Sequence, residues 1–238
     1  MQADARAGVS PEEIARFDAL AARWWDPAGP MRPLHRMNPL RIRWIDARVR
    51  RRLGGPARVL DVGCGAGIAA EALARRGHTV LGIDAAGEAL AAARAHAEGK
   101  ALSLAYRDAV AADLLADGLR FPVITALEVI EHVPAPSAFI AELAALLEPG
   151  GLLFLSTINR TKRSFVAAKV AAEYVFRWLP VGTHDWRKFI TPTELGRHLR
   201  RNGLALVDIS GMRPDPMRGG WRESHDLSVN YILEARAG

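Results

Sequence analysis

The sequence predicts an α/β domain on a mainly parallel sheet, with a helical cover ahead of it and a helical insertion before the last strands. Three observations carry that expectation. Short apolar runs rich in β-branched residues alternate with helical stretches of ten or so residues. A glycine-rich loop, Gly63-Cys64-Gly65-Ala66-Gly67, joins the first such strand to the first such helix. An acid, Asp84, ends the second strand.

The elements follow in order. Ser10-Pro11-Glu12-Glu13 supplies a hydroxyl N-cap, a proline in the first turn and an acid at the capping-box position, so a helix is expected through Trp24. Pro27, Gly29, Pro30 and Pro33 interrupt it, Asn38-Pro39 is expected to open a second helix, and Gly54-Gly55-Pro56 to close it. Residues 10–55 form the expected cover. A core over 57–158 follows, with strands at 58–62, 79–83, 102–106, 123–127 and 152–156 and helices up to Arg76, over 86–98 and over 137–147. Residues 160–190 hold the expected insertion, with a helix over 163–179. Residues 191–238 carry a helix opened by Thr191-Pro192-Thr193-Glu194 and stopped by Gly203, then strands at 204–209 and 229–235. The long connection between these strands predicts an antiparallel edge. The whole chain reads as one domain.

The composition sets limits. At 238 residues, 50% hydrophobic and 24% charged, the chain can bury a sizeable core and is not a disordered polymer. Its single cysteine, Cys64, excludes a disulfide framework and a thiolate zinc cage. Asp4, Glu12, Glu13 and Asp18 interrupt residues 1–20, which do not read as a signal peptide, and no uncharged apolar run reaches membrane-spanning length. A cytoplasmic protein is expected. The net charge of +6 fits a nucleic-acid or anionic-lipid partner, or the arginine and alanine bias of a GC-rich genome.

The glycine loop sits where open α/β sheets bind ligands, and glycine permits both positive φ and close backbone approach. Asp84, about 20 residues on, is placed to accept the hydroxyls of a ribose. A dinucleotide site wants G-x-G-x-x-G, with a pyrophosphate on the helix N-terminus. Here the spacing is G-x-G-x-G, and Ile68 stands where the third glycine would be. Asp61, two residues before the first glycine, disfavours phosphate and favours an ammonium group. This loop resembles the first motif of class I S-adenosylmethionine-dependent methyltransferases. The resemblance implies a Rossmann-like sheet, with Asp61, Gly63 and Gly65 around the methionine end of the cofactor, Asp84 on the ribose and Asp108 near the adenine.

After the fourth strand comes Glu128-Val129-Ile130-Glu131-His132. Two carboxylates and an imidazole at i, i+3 and i+4 share a face if the segment turns helically. Such a face suits a divalent metal, or His132 as general base with a carboxylate orienting it, or simply a satisfied polar turn.

Taken with Arg23-Trp24-Trp25-Asp26, the run from Pro33 to Arg41, Ser156-Thr157-Ile158-Asn159-Arg160 and Gly182-Thr183-His184-Asp185-Trp186, these motifs resemble the ubiquinone-biosynthesis O-methyltransferase family over most of residues 12–200. That resemblance implies S-adenosyl-L-methionine as methyl donor and O-methylation of 2-polyprenyl-6-hydroxyphenol and 3-demethylubiquinol. It implies cofactor contacts at Arg41, Gly63, Asp84 and Leu127, and a divalent metal such as Mg²⁺ on Glu128, Glu131 and His132. Ala66, Leu127 and Pro122 depart from residues common in the family, without touching the chemistry. Other enzymes of ubiquinone biosynthesis are implied partners; nucleic acid is not.

Lys169, Glu173 and Arg177 form a narrow polar stripe on the expected 163–179 helix, with Phe165, Val166, Tyr174, Phe176 and Trp178 around it. The pattern suits an anionic membrane surface, a buried helix or a dimer contact; with the resemblance, peripheral attachment at the inner face of the membrane is expected. Trp24 or Trp25 could line a quinone pocket or pack in the core, and Arg48, Arg50, Arg51 and Arg52 read as a solvated helix end. The competing functions are another small-molecule or nucleic-acid methyltransferase, a dinucleotide oxidoreductase, and a non-catalytic ligand-binding subunit of the same fold. The first lacks a visible recognition domain and base-stacking groove, the second fails on glycine spacing, and the third leaves Glu128–His132 unexplained.

Overall fold

The computed structural model describes residues 11–166, 186–217 and 219–238. In chain order the elements are α1 (Pro11–Asp18), α2 (Arg32–Leu53), β1 (Arg58–Val62), α3 (Ile68–Ala74), β2 (Thr79–Asp84), α4 (Gly87–Ala97), β3 (Leu104–Asp108), α5 (Ala111–Ala116), β4 (Phe121–Leu127), α6 (Pro136–Leu146), β5 (Leu147–Ile158), α7 (Lys162–Ser164), α8 (Pro192–Arg201), β6 (Leu204–Asp215), β7 (Gly220–Ser224) and β8 (Asn230–Ala237). Short 3₁₀ turns lie at Ala21–Arg23 and Trp186–Lys188.

The eight strands form one sheet in the order β3-β2-β1-β4-β5-β8-β6-β7. Neighbours from β3 to β5 are parallel, and β8 runs antiparallel to both β5 and β6, which gives the expected antiparallel edge. The chain leaves β1 toward β2 and β3, then returns to place β4 on the other side. This reversal opens a crevice at the strand C-termini, where open α/β sheets take their ligands.

Strand alternation explains the two-sided core. On β5, Leu153 and Leu155 pack with Phe139, Ile140, Leu143 and Leu199 of α6 and α8. Their neighbours Leu152 and Phe154 pack on the other face with Ile42, Trp44, Ile45 and Val49 of α2 and Leu73 of α3. A strand buried on both faces reads as a continuous apolar run, as Leu152–Leu155 does.

Several boundaries differ from expectation. The first helix stops at Asp18 instead of reaching Trp24. Asp18 is engaged elsewhere: its Oδ1 accepts from the Glu88 and Ala89 amides at the start of α4, where Ala86 supplies no side-chain cap. Ser10 lies outside the described residues. The second helix starts at Arg32, with Pro33 in its first turn, and carries Pro39 in its interior. The buried side chains of Met37, Leu40, Ile42, Trp44 and Ile45 hold it there despite the backbone bond that Pro39 cannot make. Its end at Gly54, φ 80°, is as expected. β3 runs two residues later than expected, and α5 and β7 were not anticipated. The arginines at the end of α2 are not simply solvated: Arg48 lies over the Trp44 ring and pairs with Asp208, Arg50 pairs with Asp46 and Arg52 with the buried Glu234. The expected 163–179 helix begins with α7, capped by Thr161 and Ser164, and lies beyond Val166 outside the described residues, as do Gly182–Asp185.

Candidate active site

A cleft of about 720 Å³ opens at the C-terminal ends of β1, β2 and β4. Phe17 and Trp24 of the N-terminal cover line it together with the glycine loop and the turn after β4. Of the predicted site residues, Arg41, Asp61, Gly63, Gly65, Asp84, Leu127, Glu128, Glu131 and His132 all line it. Asp108 does not. It ends β3 beside Asp84, exposed, and the neighbouring Ala109 and Val110 line the cleft instead.

The loop after β1 needs its glycines for conformation and for space. Gly63, Gly65 and Gly67 have φ of 68°, 52° and 85°. A Cβ on Gly63 would meet Val129 at 2.6 Å, and one on Gly65 would meet the Trp24 ring at 2.5 Å. The loop is pinned at both ends of its turn. Gly63 and Cys64 donate to the Ile83 carbonyl, and Gly65 donates at 2.7 Å to Asp84 Oδ2. Asp84 Oδ1 accepts from Ala86, so the carboxylate bridges the glycine loop and the start of α4. Burial raises the Asp84 pKa against these amide bonds.

Asp61 and Arg41 carry buried charge with unused capacity. Asp61 is 2% exposed, and burial pushes its pKa up to about 6, against the opposing hydrogen bond from Thr125. Thr125 Oγ1 donates to Oδ1 at 2.6 Å, whereas Oδ2 has no hydrogen-bond partner among the described residues. Arg41, brought by α2, donates Nη1 to Glu128 Oε1 at 3.3 Å, and its Nε has no partner among the described residues. Burial lowers its pKa, and the acids around it oppose that fall. A buried acceptor and a buried donor left open at one cleft are costly unless a ligand completes them. An α-amino-acid group, with its ammonium and carboxylate, has the complementary pair.

The turn after β4 is not the helical face expected from Glu128, Glu131 and His132. Glu128 has φ 59°, a left-handed conformation that breaks any helix at its first residue. Its amide donates to the Ser156 carbonyl at 2.9 Å, and its Oε1 accepts from Ser156 Oγ at 2.7 Å. Glu131 is 4% exposed and accepts from Thr157 Oγ1 at 2.8 Å; burial first, then the Glu128 charge, pushes its pKa up to about 7. His132 lies edge-on to Phe17 of α1, and its Nδ1 is 3.2 Å from Glu13 Oε2 but makes no hydrogen bond among the described residues. Burial alone would lower the His132 pKa, but Glu13 and Glu131 raise it above the ordinary histidine value.

These contacts bear on the metal. Each of the three side chains is turned toward a separate protein partner. Among the described residues no three His, Cys, Asp or Glu side chains close around one point as a metal would need. The donor set as placed does not fit a metal centre, because the left-handed turn at Glu128 splits the face that a helix would have made.

Glu13 was legible only as a capping residue. No local signal ties it to His132, since α1 and the turn after β4 meet only in the folded chain. The hydroxyls of Thr125, Ser156 and Thr157 were likewise not singled out as partners of the acids. The tryptophans separate: Trp24 lines the cleft, whereas Trp25 stacks on His96 with ring centroids 3.4 Å apart and donates to the Ala66 carbonyl.

A sheet that reverses at β1 above a glycine loop, with an acid closing β2, defines a class I methyltransferase, an enzyme whose methyl donor is S-adenosylmethionine. Residues 34–209 match the family described as Methyltransferase domain. The fold is similar to the magnesium protoporphyrin IX methyltransferase of Synechocystis PCC 6803, solved with bound SAH, at a TM-score of 0.59 and 21% identity over 84% of this chain and 81% of that one. Curated relatives named ubiquinone biosynthesis O-methyltransferase are nearer in sequence. The protein from Dinoroseobacter shibae is 48% identical over 94% of both chains, and that from Azorhizobium caulinodans 44% identical over 98% of this chain and 96% of its own. The chain belongs to the ubiquinone biosynthesis O-methyltransferase family.

Proposed function

We propose that this chain methylates phenolic hydroxyls of polyprenylated ubiquinone precursors, the class that holds 2-polyprenyl-6-hydroxyphenol and 3-demethylubiquinol. One observation carries the reading: among the described residues a single cleft joins Asp61 and Arg41, each with an unsatisfied buried polar atom, to the half-buried imidazole of His132. Asp61 Oδ2 would take the cofactor ammonium, Arg41 Nε its carboxylate and Asp84 its ribose hydroxyls. Leu127, at the end of β4, would lie against its apolar surface. When bound, S-adenosylmethionine supplies an electrophilic methyl group on a sulfonium.

The protein must hold the acceptor oxygen in line with that methyl at about 3–3.5 Å and remove its proton. A phenol with pKa about 10 is mostly protonated at neutral pH, and bringing it to 7 requires roughly 4 kcal/mol. His132, on the cleft wall, would accept that proton as general base. Glu131 and Glu128 stabilise the resulting imidazolium. Phe17, Trp24 and Val133 supply apolar walls that keep water from the reacting atoms.

The test is turnover of a short-chain catechol by His132→Ala, with S-adenosylhomocysteine affinity measured in parallel. Loss of turnover at unchanged affinity supports the base. Wild-type turnover removes it. Activity abolished by a chelator and restored by Mg²⁺ replaces the base with a metal.

A polyprenyl tail resides in lipid, so the enzyme should work at a membrane surface. Among the described residues no helix is long and apolar enough to cross one. Lys162, Arg163, Phe165 and Val166 are exposed where the insertion begins, a mix of cations and apolar groups suited to anionic lipid. Co-sedimentation with anionic vesicles at low salt supports peripheral attachment; equal recovery without vesicles counts against it.

A further inference from the structure

We propose that Asn230 and Trp221 form the subsite for the acceptor ring: the Asn230 N–H₂ group donates to the oxygen ortho to the methylated hydroxyl, and the Trp221 indole walls the ring. The inference deepens the proposed function and rests on it. It makes the chain selective for 1,2-dioxygenated rings over monophenols.

The sheet order divides the cleft. Asp84 ends β2, the glycine loop follows β1, and Arg41 meets Glu128 just after β4. None of the residues assigned to the methyl donor lies on β5, β7 or β8. The cleft nevertheless continues past Leu127 to Ile158 at the end of β5, Val229 and Asn230 at the start of β8, and Trp221 of β7.

Strand alternation fixes the face that Asn230 occupies. On β8, Ile232 packs in the same core as Trp44 and Val49 of α2, and Tyr231 packs on the opposite face of the sheet. Asn230, two residues from Ile232, shares its face. Ile232 is paired with Ser156, whose hydroxyl donates to Glu128 Oε1, the oxygen that also accepts from Arg41. Asn230 is paired with Ile158, two residues further along β5. Two residues of strand span about 6–7 Å. Asn230 therefore stands one such step beyond the rung that touches Glu128, a gap that a substituted benzene ring fills.

The amide is oriented by the protein. Asn230 is 6% exposed, and its Oδ1 accepts from the Met212 amide at 3.1 Å. That bond takes the oxygen and leaves the N–H₂ end for the cleft, where it donates to none of the described residues. A donor left open in a buried position is costly, and an oxygen of a ligand completes it. A site built this way rejects the analogue that lacks the oxygen. Trp221 is half-buried; it packs against the core under α2 and gives its remaining surface to the cleft. An indole there offers a flat apolar wall to an aromatic ring.

The experiment is a binding cycle, read by calorimetry on the complex with S-adenosylhomocysteine. The ligands are a short-chain 2-alkyl-6-hydroxyphenol and the matching 2-alkylphenol. The proteins are wild type, Asn230→Ala and Trp221→Leu, with S-adenosylhomocysteine affinity, thermal unfolding and turnover of the diol followed for each. In wild type the second oxygen should tighten binding about ten-fold. In Asn230→Ala that gain should shrink to within two-fold, with S-adenosylhomocysteine affinity within about three-fold of wild type. General damage to the fold weakens both ligands and cancels from their ratio. Trp221→Leu should weaken both ligands about five-fold and keep the gain. A gain retained in Asn230→Ala, or absent from wild type, overturns the proposal. A larger fall in S-adenosylhomocysteine affinity also overturns it, because Asn230 then serves the donor. Both ligands binding Trp221→Leu as they bind wild type removes the wall. Should Asn230→Ala fail to fold, Asn230→Asp, which keeps an oxygen for the Met212 amide and has no N–H₂, must lose the gain, and a gain retained overturns the proposal. Wild type that binds S-adenosylhomocysteine but neither binds nor methylates the diol marks failure of the proposed function, and of this inference with it. Methylation of the diol beside a gain unchanged in Asn230→Ala confines the failure to Asn230.

Discussion

The two halves of the cleft are built by different means. The donor half, residues 61–67 with Asp84, lies within one βαβ unit and is shaped largely by main chain: three positive-φ glycines, amides donating to Ile83 and Asp84, and a carboxylate that bridges loop and helix. The acceptor half draws on residues 13, 17, 128, 131, 132, 157 and 188, and is held by side chains meeting across the fold. A main-chain site resists substitution because few residues fit its backbone. A side-chain site can be altered one contact at a time, so the two halves should separate in experiment into binding and turnover.

The largest expected break in that separation is His132→Ala, with kcat reduced about 10²- to 10⁴-fold and S-adenosylhomocysteine affinity within about three-fold. The wild-type pH profile sharpens it. The proposed base would work unprotonated; the acids beside His132 raise its pKa and burial pushes Glu131 up to about 7, so kcat should climb with pH as these groups lose protons. Gly65→Ala should act on the opposite half: the left-handed backbone and the collision with Trp24 should cost about 2–4 kcal/mol, read as a lower Tm and weakened cofactor binding.

Asp61→Asn should move stability and binding in opposite directions. The folded-state pKa of Asp61 is raised from 3.8 to about 6, so its contribution to stability is present at low pH and lost as pH rises through about 6. At pH 8 the ligand-free wild type carries that loss and the Asn variant does not, a gain of at most ~3 kcal/mol at ~1.4 kcal/mol per pH unit. Asn can still accept from Thr125. Without the carboxylate, cofactor affinity should fall about ten-fold or more, checked by calorimetry at about pH 8. Asp108→Ala should give the smallest effect, under about two-fold in affinity, since the side chain is exposed and away from the cleft lining.

Legibility in the sequence followed locality. The five parallel strands were readable because each is a short apolar run between turn residues. α5, Ala111–Ala116, was missed because six residues are too few to show a helical period, and β7 because Gly220-Trp-Arg-Glu-Ser is polar and half exposed. Asn38-Pro39 misled because proline usually opens a helix, and only the buried face of α2 reveals that the helix runs through it. The spacing of Glu128, Glu131 and His132 suggested a helix face, and the left-handed Glu128 dissolved it.

The sequence by itself determined the fold class and put the glycine loop and Asp84 together at the strand ends, because glycine spacing, strand pattern and an acid at a strand end are encoded within a few neighbouring elements. It also marked His132 as a candidate base. The tertiary structure alone decided which acid faces that imidazole, that Asp18 caps a helix far along the chain, and that Trp24 and not Trp25 walls the cleft. Hydrogen bonds and ring contacts between distant segments depend on where packing sets the helices, and side-chain type carries no record of that distance.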